Sequence, residues 1–150
     1  MPKQTSAIGS ALKSSYRGPA VCPPATKDIK LNLKHRQNAI DNYGYGPLNP
    51  QEPSVEFWKR KAKNWNTSVA EVKTSRCDNC AAFIQTPQII ACIESGIGFE
   101  SDEPPAVVKL EMGHAKKVEA AANLGYCQLF HFKCAGDRTC DAWLMGGPIT

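Results

Sequence analysis

Five of the seven cysteines fall into two groups that a short chain can join only by folding around them. One group is Cys77-Asp78-Asn79-Cys80. The other lies between Gly125 and Trp143, where Cys127, Cys134 and Cys140 are interspersed with Tyr126, Phe130, His131, Phe132 and Trp143. Thiolates are soft ligands, and soft ligands packed among rings point to a buried metal centre. A two-residue gap lets both sulfurs face one metal while the intervening backbone N–H groups point toward them. Such a pair alone is a weak signal. No apolar run follows Met1-Pro2-Lys3, and none approaches the ~18 residues of a membrane span. The expected setting is therefore a reducing cytoplasm, where clustered cysteines bind metal more often than they pair. With an odd number of cysteines, at least one thiol stays outside any set of intramolecular disulfides.

The 150 residues allow one domain with room for an arm. Eleven glycines and eleven prolines imply a loop-rich fold. The modest charge of +4 is concentrated in the N-terminal third. Residues 1–53 read as an extended arm, because Pro19, Pro23, Pro24, Pro47, Pro50 and Pro53 interrupt a stretch without sustained apolar period. In one reading this is a flexible leader. In another it orders against neighbouring subunits through Tyr16, Tyr43 and Tyr45 as amphipathic anchors. Nucleic-acid contact through Lys27, Lys30, Lys34 and Arg36 is a third, weaker reading.

The folded domain is expected over residues 54–150. Ser54 is read as the cap of a helix whose core face carries Val55, Trp58, Ala62 and Trp65, with Lys59, Arg60, Lys61 and Lys63 elsewhere. Ser68-Val69-Ala70-Glu71 fits a capping box that opens a second short helix. Thr86 with Pro87 starts a third, ended by Gly96, in which Cys92 reads as a small buried hydrophobe. Residues 101–105 read as an acidic loop, 106–110 as a strand and 115–123 as a helix closed by Gly125. His114 is expected at the surface. The tail from Met145 to Thr150 is expected to be flexible or bound to a partner.

Cys77-x2-Cys80 with Phe83, Gly125-Tyr126-Cys127-Gln128-Leu129-Phe130, and Cys140-Asp141-Ala142-Trp143 together resemble the high-potential iron-sulfur protein (HiPIP) pattern. The resemblance implies one [4Fe-4S] cluster held by Cys77, Cys80, Cys127 and Cys140, with Phe83, Phe130 and Trp143 shielding it. The chain departs from that pattern in the long separation between Cys80 and Cys127 and in the extra thiol Cys134, which can replace Cys127 or Cys140. Arg76, Lys133 and Arg138 lie at or near these ligands in sequence and are expected to offset the cluster's charge. Over residues 42–148 the sequence also resembles HiPIP-like proteins encoded by tailed bacteriophages.

The fold expected is therefore a small irregular α+β domain, loop-rich, with short helices around a [4Fe-4S] cluster and an extended N-terminal arm. The functional expectation is a structural or interaction protein, a virion component made in the host cytoplasm. Its cluster would staple the domain and its arm would bind other phage structural proteins. A soluble HiPIP-like electron carrier is the alternative, and a four-cysteine zinc domain a lesser one, since C-x6-C-x5-C is wider than the paired spacing of zinc ribbons. A disulfide-stapled domain, with Cys22 or Cys134 oxidised late, is also open. No catalytic residues are expected, because His131 has no identifiable orienting carboxylate or oxyanion site.

Overall fold

The computed structural model describes residues 6–18, 21–98 and 117–150. The acidic loop, the 106–110 strand and His114 lie outside the described residues. The elements are α1 (Ser6–Ser15), α2 (Pro24–Lys27), α3 (Ile29–Tyr43), α4 (Val55–Trp65), α5 (Val69–Val72), β1 (Phe83–Ile84), α6 (Pro87–Gly98), β2 (Leu124–Cys127) and β3 (Phe132–Ala135). A 3-10 turn covers Cys77–Asn79, and residues 117–122 are helical. The strands form one antiparallel sheet in the order β1-β2-β3, with Phe83 opposite Cys127 and Cys127 opposite Phe132. This is a small, loop-rich α+β fold. No described helix is long and apolar enough to cross a membrane.

Sequence chemistry accounts for most helix ends. The Asp28 carboxylate accepts from the Leu31 N–H at 3.0 Å and starts α3. Gly44, at φ 62°, stops it in the left-handed region that glycine enters without steric cost. Ser68 accepts from the Glu71 N–H at 3.1 Å, and Thr86 from the Ile89 N–H at 3.3 Å. Ser54 behaves differently. It precedes α4, but its own left-handed backbone turns its side chain away from any capping bond.

The N-terminal third is the main correction. Residues 24–47 are not an extended arm: α3 packs on β3, α2 packs between α3 and α6, and Ala39 and Tyr45 enter the main core. The prolines and Gly44 cut the stretch into helices, each giving a few apolar side chains to a core built elsewhere. α3 is 15 residues long but buries Ala39 alone and leaves Ile29 and Leu33 exposed, so no strong apolar period shows in it. Cys22 and Cys92 form a disulfide with Cα atoms 5.5 Å apart. Cys92 is buried as expected, but it also ties α6 to the segment before α2.

Three smaller expectations also change. Gly96 does not end α6. A Cβ there would run into the Thr26 carbonyl of α2, so the glycine permits close helix packing. Gly125 lies within β2, where a Cβ would collide with the Phe83 ring, and Asn123 at φ 48° marks the turn from the preceding helix into that strand. The tail docks: Ile149 donates to Phe83 O and accepts from Gln85 N–H, both at 2.8 Å. Those bonds occupy the outer edge of β1.

Candidate metal centre

All five unpaired cysteines, Cys77, Cys80, Cys127, Cys134 and Cys140, line one cavity. Phe83, Phe130, Phe132, Tyr45 and Trp143 supply rings to the same wall. Four chain segments meet here: the 3-10 turn and its exit, the β2 end, β3, and the loop after β3.

The C-x2-C turn is fixed from outside. Cys77 N–H donates to Arg138 O at 2.7 Å and Asp78 N–H to Gly136 O at 3.0 Å, which tie the turn to the loop after β3. The Trp143 indole N–H reaches Arg76 O at 2.8 Å and Asn79 Oδ1 at 2.9 Å. Trp143 is therefore both a wall of the cavity and a latch on the turn that presents Cys77 and Cys80. Phe83 is buried at β1, and Phe130, half-buried at the hairpin, stacks on Tyr43 with ring centroids 4.3 Å apart. All three expected shielding aromatics thus line the cavity. Phe132, expected among the rings near the cysteines but not as a shield, joins them: the alternation of β3 turns it inward together with Cys134.

The three tyrosines expected on partners are engaged within the chain. Tyr45 is buried in the cavity wall, meets Phe132 edge-on at 4.9 Å and accepts from the Ala135 N–H at 3.0 Å. Tyr43 covers Phe130. Tyr16 packs half-buried against the second apolar cluster, which contains Ala25, Ile84, Ile89, Ile93 and Tyr126. Their amphipathic character is real, but the surface each covers belongs to its own chain.

The environment of the sulfurs is dry. Burial pushes the Cys80 thiol up to about 11 and that of Cys127 up to about 12. It raises Cys134 and Cys140 well above the ordinary thiol value. Opposing this, backbone N–H groups aim at several sulfurs. Ala82 and Leu144 donate to Cys80 Sγ, each at 3.4 Å; the backbone amides of Phe130 and Leu129 favour the thiolate of Cys127, and that of Ala142 the thiolate of Cys140, less strongly than burial opposes it. The neighbouring Cys77 raises Cys134 further. Neutral thiols in an apolar pocket are inert, and a bound metal group is what draws off their protons.

This donor set fits an iron-sulfur cluster: soft sulfurs, apolar walls, and amide N–H groups placed to stabilise thiolates. Among the described residues, no three His, Cys, Asp or Glu are gathered as a single-ion site. The cations expected to compensate are not in the cavity wall. Arg76 lies over the Trp58 ring at 4.8 Å, Arg138 donates to Leu48 O at 3.1 Å, and the Lys133 ammonium is disfavoured by its own burial. Lys61 also lies outside the cavity wall, but it is fully buried on α4 and its ammonium donates to Cys140 O at 2.6 Å. Its place in a Lys-Arg-Lys run on an amphipathic helix gave no sign of this. His131 is exposed at the hairpin tip, where its carbonyl lies 2.7 Å from His35 Nδ1.

Fold and site together define a small α+β domain built around a cysteine-lined apolar cavity. No family model, curated protein or solved structure matches the chain.

Proposed function

We propose that this chain binds a [4Fe-4S] cluster in the five-thiol cavity, and that the cluster serves mainly as an internal staple. The observation that carries the reading is the gathering of five free thiols from separate segments into one aromatic-walled cavity. Five thiols exceed the four that one zinc takes, and the likeness of the cysteine spacing to the HiPIP pattern favours a multi-iron group over zinc. Cys77, Cys80, Cys127 and Cys140 are the ligands in this reading. Backbone amides that donate to Cys80 and favour the thiolates of Cys127 and Cys140 support that choice. When bound, such a cluster supplies a cross-link and a one-electron couple.

The chain's part is to hold four sulfurs at the junction of the C-x2-C turn, the hairpin and the loop after β3. Ala82, Phe83, Phe130 and Trp143 exclude water there. The phage resemblance adds a setting, a tailed-phage virion component with neighbouring protein subunits as partners. One observation favours a carrier as the second reading. Leu129 lines the cavity and is 36% exposed, so the site comes close to the surface on that side.

Anaerobic purification with iron, sulfide and zinc analysis tests the reading. The expected result is a brown protein with about four irons and four sulfides per chain. Cys140→Ser should lose both colour and cooperative unfolding, while Cys92→Ser keeps its colour. A colourless wild type holding one zinc would move the site to a structural four-cysteine centre. A brown wild type whose Cys140→Ser variant is colourless yet fully folded would remove the staple role. Reversible reduction with unchanged folding would favour the carrier.

A further inference from the structure

Lys61 has no exposed surface. It sits on the stripe of α4 that also buries Trp58, Ala62 and Trp65, so its whole stem is enclosed. Taking an ammonium out of water costs several kcal/mol unless charge and hydrogen bonds replace the lost hydration. The compensation visible around Nζ is partial. It donates to Cys140 O at 2.6 Å and lies 3.6 Å from the centroid of the Trp65 ring. The nearest carboxylate oxygen, Asp141 Oδ1, stands off at 3.9 Å without a hydrogen-bond partner. That carboxylate is shared, since its other oxygen is 3.6 Å from Arg60 Nη1.

The carbonyl that Lys61 bonds belongs to Cys140, whose sulfur becomes anionic only when a bound group takes its proton. Burial pushes its amine down to about 8, while Cys140, Asp141 and Cys77 pull it up and Arg60 pushes it down. The same ammonium favours the thiolate of Cys80. Lys61 therefore stands, fully buried and hydrogen-bonded to the Cys140 carbonyl, beside the backbone of one proposed ligand. Four thiolates around a cubane carry net negative charge, which a dry pocket opposes unless a nearby cation balances it.

We propose that Lys61 is the built-in counter-charge of the cysteine cavity, a positioning residue that sets the reduction potential of the bound group and helps retain it. The proposal rests on the cluster-binding reading above and adds to it the source of the balancing charge. It has a signed consequence. Removing the ammonium makes an added electron less welcome and lowers the potential, whereas removing the Asp141 carboxylate makes it more welcome and raises the potential.

The experiment measures iron and sulfide content and midpoint potential for wild type, Lys61→Met, Lys61→Gln, Lys61→Arg and Asp141→Asn, all purified anaerobically. Gln keeps an N–H donor without the charge; Arg keeps the charge. Lys61→Met and Lys61→Gln should disfavour reduction at least tenfold, about 59 mV for one electron. Lys61→Arg should stay nearer to wild type, and Asp141→Asn should shift the opposite way. Loss of iron from Met and Gln variants but not from Arg supports the proposal equally. If none of the Lys61 variants folds, the sign of the Asp141→Asn shift decides. A wild-type potential in Lys61→Met or Lys61→Gln overturns the counter-charge alone, as does a fall in Asp141→Asn. A wild type without iron and sulfide overturns the cluster reading and the counter-charge with it.

Discussion

Tyr45 shows how a single residue changes meaning when its neighbours are known. In sequence it is a tyrosine in a glycine- and proline-rich turn. In the fold its ring meets Phe132, and its hydroxyl accepts the Ala135 N–H at the end of β3. Burial raises its pKa far above the ordinary phenol value, so it stays protonated throughout the working range. Tyr45→Phe should keep the ring contact and leave one N–H unsatisfied, at a cost of about 1–3 kcal/mol. Urea unfolding of the two proteins checks this; equal midpoints would mean that water takes over the bond. The cysteines were legible because their chemistry is independent of fold, and Phe83, Phe130 and Trp143 through the resemblance of their motifs to the HiPIP pattern. Lys61 and Tyr45 were not, because each approaches the site through an element whose packing the sequence does not display.

At the scale of elements, short caps and long-range docking decide different things. The starts of α5 and α6 could be read from Ser68 and Thr86, since a cap is a bond between residues three apart. The ends set by Gly96 and Gly125 were misread, because both glycines answer to a remote neighbour, the Thr26 carbonyl and the Phe83 ring. Helical residues 117–122 give a further test. Glu119 has its carboxyl pKa raised by burial and by Glu94 of α6. A carboxyl held above its unfolded value contributes stability at low pH and loses it as pH rises through the carboxylate range. Glu119→Gln should therefore have the higher melting temperature at neutral and higher pH, with the difference shrinking as pH falls through the carboxylate range. A gap that is constant with pH would show that the two carboxylates do not repel.

Across the whole molecule, two kinds of covalent or ligand tie are possible, and they fall in different places. Cys22–Cys92 joins positions 70 residues apart on the side of the second apolar cluster. The five free thiols lie in the main core. Replacing both Cys22 and Cys92 by Ser should cost about 2–4 kcal/mol under non-reducing conditions, yet leave the iron content unchanged. A double variant that loses its iron would show that the two ties cooperate. The sequence by itself determined that Cys77 and Cys80 form one group and Cys127, Cys134 and Cys140 another, because thiol spacing is visible without the fold. It also determined that the fold would be loop-rich, because the chain holds eleven glycines and eleven prolines. Only the tertiary structure decided that residues 24–47 close over the site rather than reach outward. It also decided which cysteine pair forms a disulfide and which lysine lies beside the backbone of Cys140. Burial and proximity are properties of chain segments meeting in space, and residues as distant as Lys61 and Cys140 carry no local pattern that records their contact.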